Sequence, residues 1–333
     1  MSRILLFGGT GQLGLEFMAM APASGHTFFA PNRQLCDITD QRSVRAVMQE
    51  YRPDWVINCA AWTRVDDAEA NPEAAFAINA FGARVVASGA REVGAAVCQV
   101  STDFVFDGSL GRPLTEWDST NPLSVYGKSK LAGEHEVLGI AERALIVRTA
   151  WLFGMQGPNF IRTILKKALP EGGDGVPGGQ PAQAAQLCVV ADQYGSPTWT
   201  RHLAPVILTL LARGVWGTYH VVNSGTASWH DVAVRAVRAA GINAEVKAVG
   251  TGDYPVRAQR PQFSVLDTAA LRLLGEHELL RWEDAVDSYV AQVMAARATA
   301  TGGGGGIPAG MPGNGGSGAG AVVAKSGGEQ GGS

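Results

Sequence analysis

The opening residues of the chain limit its fold more than any other stretch. Arg3-Ile-Leu-Leu-Phe7 is a continuous apolar run, the pattern of a strand buried on both faces of a parallel sheet, and it leads directly into Gly8-Gly-Thr-Gly11-Gln-Leu-Gly14. Glycine at 8, 11 and 14 allows a tight turn, close approach of backbone N–H groups to phosphate, and close packing of the next helix on the strand. That helix, predicted through Met20, turns its amino terminus toward a pyrophosphate. A strand before and a helix after are what separate this triplet from an ordinary glycine turn. Gly8, Gly11 and Gly14 are therefore expected to form a dinucleotide loop.

The following segments continue the strand–helix alternation. His26–Ala30 reads as a second strand ending at Pro31-Asn32-Arg33. In dinucleotide folds a carboxylate at that strand end binds the ribose 2′-hydroxyl, whereas arginine accommodates a 2′-phosphate. Asn32 and Arg33 stand there, which tilts the expectation toward NADPH, with NADH the alternative if Arg33 is simply a solvated surface residue. Thr39 or Asp40 suits the cap of a helix running to Tyr51. Pro53–Ala61 is a buried strand ending in small residues, Ala74–Glu92 a long helix containing Asn79, and Ala95–Val100 a strand that enters Ser101-Thr102-Asp103. Hydroxyls at a strand's carboxyl edge suit a site, or merely a turn that closes the strand.

Tyr126 and Lys130 lie one helical turn apart, so phenol and ammonium share a face. A lysine beside a tyrosine favours the phenolate and lowers its pKa from about 10. Such a tyrosine can give a proton to a carbonyl oxygen as a hydride arrives at carbon. The same spacing occurs on solvated helix surfaces, so this reading leans on the glycine turn and on Thr102. Lys128, on another face, reads as surface.

Composition narrows the alternatives. A formal net charge of −3 over 333 residues makes no electrostatic case for nucleic acid or an anionic membrane. No apolar run approaches the roughly 20 residues of a membrane-spanning helix, and the short amino-terminal run reads as a strand, not a signal peptide. Cys36, Cys59, Cys98 and Cys188 are scattered without a C-x-x-C pair, as expected of buried residues in a reducing, cytoplasmic setting. No catalytic metal motif appears among the histidines.

Beyond Ala144–Gly154, a strand and loop, the pattern becomes mixed: helices over 159–169, 201–213 and 229–240, and strands near 189 and over 217–222. The expected organisation is a doubly wound parallel α/β sheet of Rossmann type over 1–153 and a smaller mixed α/β substrate lobe over 154–298, some of whose segments return to the first domain. Pro170–Gln186 holds five glycines and three prolines in 17 residues and reads as a mobile surface insertion. A glycine-rich tail over 299–333, with 15 glycines among the 32 residues from Gly302, reads as disordered.

The glycine triplet, Thr102 and Tyr126-x-x-x-Lys130 together resemble the extended short-chain dehydrogenase/reductase family, and within it the dTDP-4-dehydrorhamnose reductases. Gly11-Gln-Leu-Gly14, Asn58-Cys-Ala-Ala-Trp-Thr63, Ser101-Thr-Asp-Phe-Val-Phe-Asp-Gly108, Asn121–Gly127, Arg148-Thr-Ala-Trp151, Asp192-Gln193, Pro197-Thr198, Arg260-Pro261 and Ser264–Thr268 carry the likeness, which spans roughly residues 1 to 296. It implies that Tyr126 gives the proton to a C4 oxygen, that Lys130 holds the nicotinamide ribose, and that Thr102 hydrogen-bonds the reacting oxygen. It implies Gly11, Gln12 and Leu13 at the pyrophosphate, Asp37 and Ile38 at the adenine, and Ala61, Trp62 and Thr63 toward the nicotinamide. Thr102, Asp103 and Trp151 would touch a dTDP-linked 4-keto sugar. Some relatives form homodimers around magnesium held by glutamates, and Glu16 stands at one such position.

The chain departs from the usual pattern at Trp62, Phe104 and Ala150, and Phe104 removes a hydroxyl beside the site. Two other functions are compatible with the same residues: a reductase of a different 4-keto-deoxysugar nucleotide, and a non-catalytic nucleotide-binding regulatory subunit.

Overall fold

A computed structural model of the chain describes residues 1–169, 186–253, 257–276, 278–301 and 322–324. Its centre is a six-stranded sheet. β1 (Arg3–Phe7), β2 (Thr27–Phe29), β3 (Trp55–Asn58), β4 (Ala96–Thr102) and β5 (Ala144–Thr149) are joined by Gly217–His220, in the spatial order Gly217–His220, β5, β4, β3, β1, β2. Every neighbouring pair is parallel.

Side chains alternate across this sheet, and both faces are covered. Leu5, Phe7, Val56, Val97 and Ile146 point to a core shared with the helices α2 (Gln41–Tyr51), Gly82–Val93 and Val125–Ile140. Ile4, Leu6, Ile57, Cys98, Leu145 and Val147 point the other way, to a core shared with α1 (Gln12–Ser24) and Thr200–Arg213. Apolar runs buried on both sides are what a doubly wound sheet requires. The chain leaves β1 toward β2 on one side and returns to β3 on the other. The crevice at the carboxyl ends of β1 and β3 is thus the topological switch point, where such sheets bind ligands.

Asp40, not Thr39, caps α2, its carboxylate accepting from the Arg42 amide at 3.0 Å. The helix expected over 74–92 is broken by a π-turn over Ala77–Phe81. That turn puts Asn79 in the interior, where its side-chain amide bonds the Trp62 backbone and the Ser129 hydroxyl. The strand expected over 217–222 belongs to the main sheet, beside β5.

The second half packs the helices Phe160–Ala168, Trp229–Ala239 and Trp282–Thr301 around the fully buried Tyr289. The Trp282–Thr301 helix has no counterpart in the sequence reading. Gln186–Val190 and Glu245–Val249 form a parallel pair in a small separate sheet. The insertion over 170–186 lies outside the described residues except for Gln186, which opens that strand. Of the tail, only Val322–Ala324 is described after Thr301. Those three residues form a short strand antiparallel to Gln186–Val190. None of the four cysteines forms a disulfide: Cys36 and Cys98 are buried, Cys59 and Cys188 half-buried. Among the described residues no helix is long and apolar enough to cross a membrane.

Candidate functional site

At the first corner of the crevice, Gly8 has φ +77°, and a Cβ there would sit 2.6 Å from the Ala60 nitrogen at the end of β3. A Cβ on Gly14 would meet the Gly8 carbonyl at 2.2 Å. These two positions exclude side chains, and with them α1 begins immediately at the strand end. Gly11 caps α1 without a side-chain partner, and the helix has no acid in its first turn. By contrast α2, the Val125–Ile140 helix and the Phe160–Ala168 helix are capped by Asp40, Ser124 and Asn159. α1 therefore directs its N-terminal backbone donors into the switch-point crevice, where an anion can satisfy them. Gln12 is half-buried and reaches Asn159 at 3.4 Å, while the Leu13 side chain lies in the core, leaving only its backbone for a ligand.

After β2, Arg33 ion-pairs with Asp37 at 2.9 Å, the two side chains being 77% and 31% exposed. The other Asp37 oxygen accepts from the amide and hydroxyl of Thr39. Ile38 is buried against Gly82, so its side chain packs between the sheet helices. Ala61, Trp62 and Thr63 are half-buried after β3. Trp62 is fixed by its backbone bonds to Asn79 and by its indole N–H donating to the Arg64 carbonyl at 3.0 Å.

The Val125–Ile140 helix carries Tyr126 and Lys130 into the same crevice. Ser124 caps it by accepting from the Gly127 amide at 3.1 Å. Two glycines let it approach its neighbours: a Cβ on Gly127 would lie 2.2 Å from the Phe104 carbonyl, and one on Gly133 2.1 Å from that of Asn79. Tyr126 is buried, with the Phe104 ring edge-on at 5.6 Å. Burial pushes the Tyr126 phenol up to about 12, the Thr102 hydroxyl pulls it down, and the Asp103 charge adds to the rise. This overturns the expectation that Lys130 lowers the phenol: desolvation wins, and the downward pull comes from Thr102. The Lys130 ammonium donates to the Val100 carbonyl at 2.6 Å, and burial lowers it to about 8 against the opposing pull of Glu134. Lys128 is exposed, as expected.

Glu134, one further turn along, is 1% exposed. It accepts from Ser101 and, through both oxygens, from Arg148, whose closest contact is 2.7 Å. Asp103 is also buried, hydrogen-bonded by Thr102 at 3.1 Å and by Ser264 at 2.5 Å, and burial raises it to about 6. Trp151, just past β5, stacks on Trp229 with centroids 3.6 Å apart and planes 3° from parallel.

The structure thus brings Thr102, Asp103, Tyr126 and Lys130 together, with Ala61–Thr63 on the adjoining strand end. Sequence reasoning gave no role to Glu134, Arg148, Ser264 or Trp229, nor to the Asp66–Arg260 pair at 2.6 Å. That pair anchors the segment bearing Ala258, which packs in one cluster with Tyr126 and Phe104. Arg148, Arg260 and Ser264 fall within the runs that carried the family likeness, but their partners are distant in sequence and no local pattern identifies them.

Comparison with known proteins agrees with this geometry. The family model described as RmlD substrate binding domain matches residues 1–295. A dTDP-4-dehydrorhamnose reductase of Streptomyces griseus is 39% identical over 291 residues, 85% of this chain and 91% of that protein. A dTDP-4-keto-6-deoxy-D-glucose reductase of Streptomyces niveus is 38% identical over 287 residues, covering 85% and 95%. Among solved structures, the dTDP-4-dehydrorhamnose reductase of Bacillus anthracis, in complex with NADP, superposes with a TM-score of 0.81 at 34% identity, covering 87% of this chain and 99% of that one. With the matched region taking in the glycine turn, the Tyr126 helix and most of the second half, the chain belongs to the RmlD substrate binding domain family.

Proposed function

We propose that the chain uses NADPH to reduce the C4 keto group of dTDP-4-dehydro-β-L-rhamnose to dTDP-L-rhamnose, supplying a nucleotide sugar for surface polysaccharide. The observation that carries this reading is the buried Tyr126 phenol beside Thr102 at the carboxyl end of β4, on the same edge of the parallel sheet as the uncapped α1 amino terminus. The names of similar proteins supply the substrate: 39% identity to a dTDP-4-dehydrorhamnose reductase, and a fold shared with one solved with NADP.

The residues fit a dinucleotide. Gly8, Gly11, Gln12, Leu13 and Gly14 hold the pyrophosphate through backbone N–H groups, Arg33, Asp37 and Ile38 flank the adenine ribose, and Ala61, Trp62 and Thr63 with Lys130 bound the nicotinamide side. The nicotinamide supplies the hydride when bound. Tyr126 donates its proton to the C4 oxygen. A phenol held near 12 is protonated throughout the neutral range, so it is always ready as the acid. Thr102 shares that oxygen and offsets part of the phenol's desolvation. Lys130 contributes positive charge in a water-poor site, where it acts more strongly than in bulk water. Asp103 orients Thr102, and Trp151 with Asp103 borders the sugar nucleotide.

Purified protein should oxidise NADPH only when the 4-keto sugar nucleotide is added. A second reading has one specific support, the 38% identity to a dTDP-4-keto-6-deoxy-D-glucose reductase. A panel of dTDP- and GDP-linked 4-keto sugars, with product stereochemistry determined, separates the two. A non-catalytic role would require NADPH binding with no turnover on any member of that panel.

Cysteines without disulfides accord with a reducing compartment, and we place the reaction in the cytoplasm. Glu16 accepts from the Thr200 hydroxyl at 3.1 Å, and no cluster of three or more metal-ligating side chains occurs among the described residues. A magnesium-linked homodimer through Glu16 therefore rests on the family likeness alone. Sedimentation with and without magnesium tests it.

A further inference from the structure

Two non-glycine residues among those described have a left-handed backbone, Arg52 at φ 48° and Trp151 at φ 47°. Arg52 ends α2, an ordinary place for that conformation. Trp151 ends no helix. It follows β5 at the carboxyl edge of the sheet, and a bulky residue holds such a backbone only where its surroundings over-determine it.

Those surroundings come from the second half of the chain. The Trp151 indole lies parallel to that of Trp229, 3.6 Å away. Trp229 is the first residue of its helix and is 7% exposed. Ser228 caps that helix in a reciprocal capping box with Asp231, and Phe160 packs on the Trp229 ring at 4.7 Å. Immediately before it, Ala227 and Ser228 pair antiparallel with Gly195 and Tyr194. This pairing brings the Gly195 backbone against the same Trp151 ring, so close that a Cβ on Gly195 would lie 2.4 Å from Cε2 and 2.6 Å from Nε1. One short two-stranded element therefore supplies both a stacking partner and a gap that admits no side chain.

We propose that Trp229 is a positioning residue which, with Gly195, locks the Trp151 indole in the orientation that receives the nucleotide sugar. Because Trp229 acts through Trp151, it sets affinity for the sugar nucleotide and leaves proton donation unchanged. An indole fixed in advance loses no rotamer freedom on binding, which is the general origin of affinity by preorganisation. This inference rests on the reading of Trp151 as a substrate contact.

The test compares wild type, Trp229→Leu, Trp229→Phe and Gly195→Ala. The affinity for dTDP-L-rhamnose is measured by calorimetry, since binding is read whether or not turnover occurs. Near-ultraviolet circular dichroism reports the coupled indoles, and NADPH affinity reports the intact cofactor half. Trp229→Leu should weaken dTDP-L-rhamnose binding about tenfold, with a matching rise in KM and little change in kcat. It should also lose the indole coupling while NADPH affinity holds. Trp229→Phe, which keeps a stacking face, should recover most of the affinity. Gly195→Ala should act like Trp229→Leu by displacing the same ring, and it carries the test if Trp229→Leu does not fold. Unchanged sugar-nucleotide affinity in the folded variants, or a parallel loss of NADPH affinity, overturns the proposal. A wild type that binds dTDP-L-rhamnose but reduces no 4-keto sugar refutes the function proposed above and leaves this comparison readable.

Discussion

At the tyrosine end of the crevice Thr102, Tyr126, Lys130 and Glu134 are all buried, each held by at least one hydrogen bond or ion pair to a side chain or carbonyl. At the end beyond β2, Arg33 leaves most of its side chain in water and meets Asp37 in a pair one helical turn apart in sequence. The first arrangement is costly to disturb because buried polar groups lose their partners outright. The second is worth little to the fold, since exposed ion pairs contribute at most about 1 kcal/mol. On the function proposed here, the chemistry is tied into the core, and the choice between dinucleotides is left to a surface that can change without disturbing it.

The sharpest test of that contrast is Tyr126→Phe, which removes one hydroxyl and almost no packing. It should lower kcat by about 10²–10⁴-fold while NADPH affinity stays near wild type, measured by initial rates and fluorescence titration. Normal turnover would remove Tyr126 as the acid. Arg148→Met should act on stability: it leaves Glu134 buried without its counter-charge, at a cost of about 3–5 kcal/mol in denaturant unfolding. Adding Glu134→Gln should restore part of that loss. If Arg148→Met alone unfolded like wild type, the tyrosine end would not depend on the buried pair.

Asp103 offers a test by pH. Its carboxyl is raised to about 6, so the folded chain binds that proton more tightly than the unfolded one. The stabilisation is complete below the ordinary carboxyl value of about 4 and is lost as pH rises through about 6, amounting to about 2–3 kcal/mol. His220 works in the opposite direction. Burial lowers it to about 3, so its contribution is lost as acid brings the pH down from 6.5. Only the difference between wild type and Asp103→Asn, followed by urea unfolding from pH 4 to pH 8, isolates Asp103. A constant difference across that range would contradict the raised carboxyl.

How far the sequence foretold these two ends follows from the range of the interactions. The glycine turn, the strand–helix alternation and Tyr126-x-x-x-Lys130 are local patterns, and each appears where expected. The sign of the Tyr126 shift was not legible. The i,i+4 spacing predicts a nearby ammonium, but the outcome depends on desolvation by Phe104 and by the Ala258 segment, which only the folded chain reveals. Asn79 was visible only as a helix residue, because the π-turn that buries it is fixed by contacts to Trp62 and Ser129. Ser264 and Arg260 meet Asp103 and Asp66 at sequence separations of 161 and 194 residues, and no periodicity encodes such pairs. The Trp282–Thr301 helix was missed for a related reason: its partners, such as Asn159 and Arg162 for the Tyr289 hydroxyl, lie far upstream.

The smallest expected effect belongs to the exposed end. Arg33→Ala should change unfolding free energy by no more than about 0.5 kcal/mol, because the Asp37 pair it breaks is solvent-screened. Asp37 keeps its bonds to Thr39, so the loop after β2 should hold its shape. The same substitution should weaken NADPH about tenfold and leave NADH nearly unchanged, since one charged contact to a 2′-phosphate is worth roughly 1–2 kcal/mol and NADH lacks that phosphate. Parallel titrations of both cofactors against both proteins provide the check. Were the two affinities equal before and after, Arg33 would be only a surface partner of Asp37, and cofactor choice would have to originate elsewhere in the crevice. A loss confined to NADPH would show that a residue almost irrelevant to folding decides which dinucleotide a buried, rigid acid works with.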